Sequence, residues 1–317
     1  MSQDVQSIIS PLRYPGSKQA LVDYVASFLH ANNFVGREWV EPCAGGASVA
    51  LSLLSRGLVS RATIVEKDPL IYAFWKCLKT DAAVICEMVR GLDVSLKTWR
   101  RFLKYRVPDA LDRYPIPELA VAGLFFNRVN YSGIIGAKPI GGMSQSSGYK
   151  IDCRFTKATV IDRMVGAAAV MDRMTVARDD VVSYLRRSQT RLALGNSVVY
   201  VDPPYYLQGR KLYRYHFADR DHVRLAEFLN AANFPWLVSY DNAPFVVNLF
   251  RGQTVRPIWL QYTVREARRA DELLITNQDH LPLPAPHERP RHAVTDDAAM
   301  RGPVARLRSR RTASAAA

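Results

Sequence analysis

Cysteine is scarce in this chain of 317 residues: four, at positions 43, 77, 86 and 153, with no C-x-x-C pair among them. That excludes a disulfide framework and a thiolate zinc site as organising features, and a reduced, cytoplasmic protein is expected. The six histidines show neither H-x-H nor H-x-x-x-H spacing, so no metal is expected. No run of 18 apolar residues occurs, which argues against a membrane span. The first residues, Met-Ser-Gln-Asp-Val-Gln-Ser, lack the basic and apolar segments of a signal peptide. Neither G-x-G-x-x-G nor G-x-x-x-x-G-K-[ST] is present, so a dinucleotide or nucleoside triphosphate is not the favoured ligand. Acids are also few beside bases, 29 against 43, for a net charge of +14. An excess of that size suits a polyanion, and nucleic acid is the usual one. Residues 285–317 hold seven arginines and three acids, so the remaining body still carries +10.

Hydrophobic residues make up 48% of the chain, enough for a sizeable core. Apolar, β-branched runs recur at 38–43, 62–66, 174–177, 198–201, 234–240, 254–260 and 272–276, with helical stretches such as Val49 to Arg56 between them. Strands alternating with helices predict an α/β fold with a mostly parallel sheet covered on both faces. Residues 86–173 break this rhythm. They hold Trp99, Arg100, Arg101, Phe102, Lys104, Tyr105 and Arg106, a predicted helix from Pro117 to Arg128, and a glycine-rich stretch from Tyr131 to Tyr149. The expected organisation is a main domain from 1–85 and 174–284, an inserted region or small second domain at 86–173, and a basic, disordered tail at 285–317. The mixed aromatic and basic run at 99–106 suits either a nucleic-acid surface or an amphipathic helix with buried rings.

Asp202-Pro203-Pro204-Tyr205 follows the apolar run Ser197 to Val201. A carboxylate and a carbonyl freed from neighbouring N–H donors by proline can accept two hydrogen bonds from one planar amino group. The tyrosine ring can lie on the heterocycle that bears that group. Such a device fits the exocyclic amine of a base flipped out of a duplex. Upstream, Glu41-Pro42-Cys43-Ala44-Gly45-Gly46 sits where the first strand meets the first helix of the sheet, and its glycines permit close backbone approach to a ligand. Glu66-Lys67-Asp68-Pro69 ends the next strand, where an acid can accept from both hydroxyls of a ribose. Arg13-Tyr14-Pro15-Gly16-Ser17-Lys18 precedes the first strand. There Tyr14 or Lys18 could hold the carboxylate end of an amino-acid-bearing cofactor.

These motifs, in this order over roughly residues 10–280, resemble the Dam-type, α-ordered (D12 class) family of DNA adenine N6-methyltransferases. Asp179-Asp180 matches the family's third-strand acid, Phe126 to Gly133 its [FL]-N-[KR]-x-x-[FY]-[NS]-G stretch, and Glu272 to Asn277 its final strand. Cys43 stands where phenylalanine is commoner. The resemblance implies a Rossmann-like S-adenosylmethionine-dependent methyltransferase sheet with an inserted, mainly helical target-recognition region. It implies S-adenosylmethionine as cofactor, held by Tyr14, Lys18, Glu41, Pro42, Ala44, Gly45, Gly46, Glu66, Asp68, Asp180 and Asp202. It implies catalysis at Asp202, Pro203, Pro204 and Tyr205. DNA is the implied partner, contacted by Asn127, Arg128, Asn130, Tyr131 and Ser132, with the target adenine flipped. The alternatives are another amine (cytosine N4 or RNA adenine) or a DNA-binding protein that keeps the fold without catalysis.

Overall fold

In a computed structural model the described residues are 8–14, 18–207, 209, 214–262 and 268–282, all within one compact unit spanning 1–283. The tail at 285–317 and Pro15-Gly16-Ser17 lie outside them. Seven strands form one sheet in the order β3-β2-β1-β4-β5-β7-β6: β1 Glu38–Glu41, β2 Arg61–Glu66, β3 Met174–Arg178, β4 Ser197–Val201, β5 Trp236–Asp241, β6 Thr254–Tyr262 and β7 Arg268–Thr276. The first five are parallel, whereas β7 runs antiparallel between β5 and β6. The order reverses between β1 and β4, and ligands of open α/β sheets bind outside the carboxyl ends of strands at such a point.

Side-chain alternation along the strands builds two cores, one on each face. Trp39, Val198, Tyr200, Leu237 and Leu274 enter the first; Val40, Val199, Val201, Val238, Leu273 and Ile275 enter the second. Strands buried on both faces are uniformly apolar, which is why they read as continuous runs. Helices α1 Val22–Ala31, α2 Ser48–Ser55 and α3 Pro69–Arg90 belong to the first face. The second is covered by α8 Val181–Leu194, α9 Asp219–Asn230 and α10 Pro244–Leu249.

Between β2 and β3 the chain adds α4 Leu96–Phe102, α5 Ala110–Arg113, α6 Ile116–Val129 and α7 Lys157–Ala168. This region is not a separate small domain. Phe102, Leu119, Phe125, Phe126 and Met164 share the first core with Trp39 and Ile64 of the sheet. Helix α3 spans residue 85, so the expected boundary falls inside a helix, although α3 is broken at Asp81 by non-helical backbone. In the 99–106 run, Trp99, Phe102 and Tyr105 are buried while Arg100, Arg101 and Lys104 stay exposed. That run is an amphipathic surface whose rings serve the core. Among the described residues no helix is long and apolar enough to cross a membrane.

Gly123 lets α6 approach α3. A Cβ there would lie 2.5 Å from the Leu70 carbonyl oxygen, which is backbone and cannot swing aside. Gly123→Ala should therefore destabilise the fold by about 1–3 kcal/mol through overpacking. Urea unfolding measures this, and an unshifted midpoint would show that the two helices can part without cost.

Candidate active site

Each parallel strand delivers an acid to the same edge: Glu41 at the end of β1, Glu66 at the end of β2, Asp179 and Asp180 after β3, Asp202 after β4 and Asp241 at the end of β5. Because β7 pairs antiparallel with β5, its middle residue Glu272 lies at this edge too, in register with Asp241. An open cleft of about 500 Å³ lies among these strand ends. Pro42 and Cys43 form part of its wall, with Glu66, Asp179 and Asp180, Asp202 and Pro204, and the rings of Tyr14, Tyr215 and Phe217.

The glycine turn after β1 shows why glycine is needed. Gly45 has φ +46°, and a Cβ on it would sit 2.7 Å from the Tyr14 ring. Its amide donates to Glu66 Oε2 at 3.0 Å and its carbonyl accepts from Trp75 Nε1 at 2.8 Å. Glu66 Oε1 accepts from the Asp68 amide at 2.9 Å. Burial pushes the Glu66 carboxyl up to about 7, against the lowering effect of these amide bonds. Each Glu66 oxygen accepts one of these amides, leaving acceptor capacity at the cleft wall for hydroxyl donors.

The acids around the cleft have divided roles. Asp68, expected at the cofactor, is instead the buried N-cap of α3, accepting from the Leu70 amide at 2.9 Å, and it does not line the cleft. Asp180 caps α8 through Oδ1, accepting from the Val182 and Ser183 amides, and its Oδ2 pairs with Lys67 at 3.1 Å. Burial works to raise its pKa, yet the Lys67 bond and charge, with those amides, hold it below the usual carboxylate range. Both Asp179 and Asp180 line the cleft; Asp179 is occupied by the Asp180 amide and Arg187. Glu41 is withdrawn from the cleft. Its Oε2 accepts from Trp39 Nε1 at 3.1 Å and the Ala50 amide at 3.0 Å, and burial lifts its carboxyl to about 8. Pro42 lines the cleft, whereas Ala44 and Gly46 shape the turn behind it.

Asp202 Oδ1 accepts from Ser239 Oγ at 2.8 Å and pairs with Lys18 Nζ at 3.0 Å. Tyr200 donates in turn to Ser239 at 2.9 Å. Both Asp202 contacts fall on Oδ1, so among the described residues Oδ2 is the oxygen left to a ligand. Burial pushes Asp202 up to about 6; Lys18 opposes this and Glu272 adds to it. Lys18, expected as a clamp for the cofactor, is 3% exposed and belongs to this network: its ammonium donates to Tyr205 Oη at 2.6 Å and lies 3.6 Å from Glu272 Oε1. Tyr205 donates its hydroxyl proton to Glu272 at 2.6 Å. Asp241 accepts from the Tyr206 and Leu207 amides, fixing the chain just beyond the tetrapeptide.

Three residues expected on DNA are internal struts. Asn127 is fully buried; its side-chain amide pairs with both backbone groups of Arg13, at 2.6 and 2.8 Å, and donates to the Gly133 carbonyl. Asn130 is also buried, accepting from Trp99 Nε1 and donating to the Ile134 and Ile135 carbonyls. Arg128 reaches the Pro11 carbonyl at 3.4 Å, and burial lowers its guanidinium to about 10. The physical reason is placement at the inward-facing end of α6, where a polar side chain must satisfy backbone rather than solvent. Together they shape the turn Tyr131–Gly133. Ser132 has φ +54°, and at Gly133 a Cβ would fall 2.0 Å from the Arg13 carbonyl. Tyr131 is thereby presented to solvent at 70% exposure.

Sequence reasoning passed over Ser239, Asp241, Glu272, Tyr215 and Phe217. Glu272 did leave a signal, as the acid immediately before the apolar run Leu273-Leu274-Ile275. The two rings gave none, since they follow a segment without recognisable periodicity.

A sheet that reverses at β1/β4, with an acid at each strand end and a cleft beside the reversal, defines a Rossmann-like fold with its candidate ligand site at the switch in strand order. The chain belongs to the D12 class N6 adenine-specific DNA methyltransferase family, whose model matches residues 14–264. It is thus an adenine-specific DNA methyltransferase, and the expected fold class and activity hold. Solved structures similar to it include the putative methyltransferase yhhF from Escherichia coli, 12% identical over 85% of this chain and 92% of that one, with a TM-score of 0.32. The rRNA methyltransferase aviRa from Streptomyces viridochromogenes is 16% identical over 87% and 91%, with a TM-score of 0.34. None of the curated proteins matches the chain.

Asn127→Ala would leave the Arg13 backbone groups and the Gly133 carbonyl unpaired, at about 1–3 kcal/mol for each buried group. Tyr131→Ala, at an exposed position, should stay within roughly 0.5 kcal/mol of wild type. Paired urea titrations check this; equal stabilities would undo the assignment of Asn127 as a strut.

Proposed function

We propose that the cleft binds S-adenosylmethionine and that Asp202-Pro203-Pro204-Tyr205 receives an adenine flipped from duplex DNA. The observation that supports this most directly is the placement of Asp202 in the cleft wall beside Glu66, Asp179 and Asp180. The residues fit the cofactor. Glu66 offers two carboxylate oxygens to a vicinal diol, the Tyr14, Tyr215 and Phe217 rings offer faces to a purine, and four acids line a site that must accept a cation. Glu66 would hold the ribose, Asp180 and the rings the base, and the turn at Gly45 the amino-acid end. When bound, the cofactor supplies an electrophilic methyl group on a sulfonium.

The protein's own part is positioning and charge. The adenine N6 lone pair is delocalised into the ring, so the amine is a weak nucleophile. Asp202 Oδ2 and the Pro203 carbonyl accept the two N6 hydrogens, which favours a pyramidal nitrogen with its lone pair free. Once methylated, N6 would carry a positive charge, and Asp202 would be placed to take the proton it must shed. Tyr205 packs its ring against the flipped base. Residues 86–173, with Tyr131 exposed on its turn, form the target-recognition region.

Two expected outcomes test this reading. Asp202→Ala in a folded protein should lose methyl transfer by roughly 10²–10³-fold or more, measured with labelled S-adenosylmethionine and plasmid DNA; wild-type turnover would end the proposal. Digestion of the product to nucleosides separates adenine N6 from cytosine N4. Glu66→Ala should weaken binding of S-adenosylhomocysteine by about 1.5–3 kcal/mol. The ribose hydroxyls donate to the ionised carboxylate, so affinity is full above the Glu66 value of about 7 and falls as pH drops through it. Calorimetric titration across pH 6 to 8 reads both effects, and a flat profile in the wild type would place the ribose elsewhere.

A further inference from the structure

Glu272 does not line the cleft, yet it is tied directly to the tetrapeptide through Tyr205 and again through Lys18. Its side chain is 1% exposed in the middle of β7, an unusual site for a carboxylate because burying a charge costs several kcal/mol unless it is paired. The pairing is specific. Oε1 accepts the Tyr205 hydroxyl proton at 2.6 Å and lies 3.6 Å from Lys18 Nζ, while the same ammonium touches Asp202 at 3.0 Å and Tyr205 Oη at 2.6 Å. One buried cation thus serves two buried carboxylates, and one phenol bridges the cation to the second of them. Neither carboxylate can take full possession of Lys18.

We infer that Glu272 is a positioning residue for methyl transfer, fixing the Tyr205 ring through its hydroxyl and sharing Lys18 so that Asp202 stays a strong acceptor. This inference rests on the proposed role of Asp202 and Tyr205 at the flipped adenine. Two consequences follow from the geometry. The phenol is held at its far end, so the ring is oriented before any base arrives, and no orientation need be imposed during the reaction. The second negative charge also weakens the hold of Lys18 on Asp202, which keeps electron density on the oxygen that must accept the N6 hydrogens. It further means that the Tyr205 hydroxyl matters along with the ring.

Among the described residues, the groups that face Asp202 are few. Lys18 precedes α1, Glu272 lies in the middle of β7, Glu41 and Cys43 stand at and just after the end of β1, and Tyr200 and Tyr240 stand in β4 and β5. Burial keeps Cys43, Tyr200 and Tyr240 protonated at neutral pH, and Glu41, raised to about 8, is largely protonated there too. Lys18 and Glu272 are therefore the charges that tune Asp202. Transfer needs the Asp202 carboxylate ionised, so activity is full above about 6 and falls as pH drops through that value. Removing the negative charge of Glu272 lowers the Asp202 value, so the acid limb moves to lower pH.

The test is single-turnover methyl transfer to plasmid DNA by the full chain between pH 5 and 8, for wild type, Glu272→Gln, Tyr205→Phe and the double variant, with Asp202→Asn as control. Glu272→Gln keeps an oxygen for the Tyr205 proton but not the charge. Its acid limb should move down by roughly half a unit or more, with a plateau about 10- to 100-fold lower. Tyr205→Phe should also lose rate, and the double variant should lose much less than the product of the two single losses, because both act through one network. A folded Glu272→Gln with the wild-type limb and plateau overturns the inference, as does strict additivity in the double variant. Should Glu272→Gln not fold, Tyr205→Phe decides alone, since wild-type rate there would overturn it. Activity in folded Asp202→Asn would instead overturn the proposed role of Asp202, whereas an inactive Asp202→Asn beside a wild-type-like Glu272→Gln removes only the role of Glu272.

Discussion

Lys18 sits at the centre of the site because its buried ammonium lies at a strand edge crowded with acids, where Asp202 and Glu272 both reach it. Removing it from water is costly, and the geometry answers that cost with two carboxylates and a phenol rather than a single partner. The consequence spreads outward. Lys18 opens a short 3-10 turn, Lys18–Leu21, that runs straight into α1, so the pairing also anchors the first helix to the sheet. The segment before it is fixed from the other side by Asn127, whose amide binds both backbone groups of Arg13. Tyr14 lies between these two anchors and packs its ring over Gly45. The cleft wall is therefore defined by contacts that span almost 260 residues of sequence.

Much of this was legible beforehand, and what was not has a common cause. The seven strands announced themselves as apolar, β-branched runs, the central β4 and β5 because both of their faces are buried. Their acids could be read because a strand's carboxyl end is a fixed address in an open sheet. Sequence alone does not say whether an acid at that address faces the cleft or caps the next helix. Asp68 and Asp180 both follow strands and both cap helices, but only Asp180 also lines the cleft. The sign of error was opposite in α6. Asn127, Arg128 and Asn130 look like surface chemistry, and their burial depends on which way the end of that helix is turned. Glu272 was hidden for another reason: its partners Lys18 and Tyr205 are distant in sequence, and an antiparallel strand had to bring it to the edge.

The region between β2 and β3 has a further implication. Its aromatic residues Phe102, Phe125 and Phe126 pack in the same cluster as Trp39, Ile64 and Phe74, and Gly123 admits the backbone of α3 at a distance only glycine allows. This part of the chain has no interior of its own. A cassette exchange of residues 86–173 between relatives, of the kind used to build chimeric enzymes, would leave half of a shared interior behind. The transplantable unit has to include the inner face of α3 as well, whereas exposed positions such as Tyr131 can change without disturbing that shared interior.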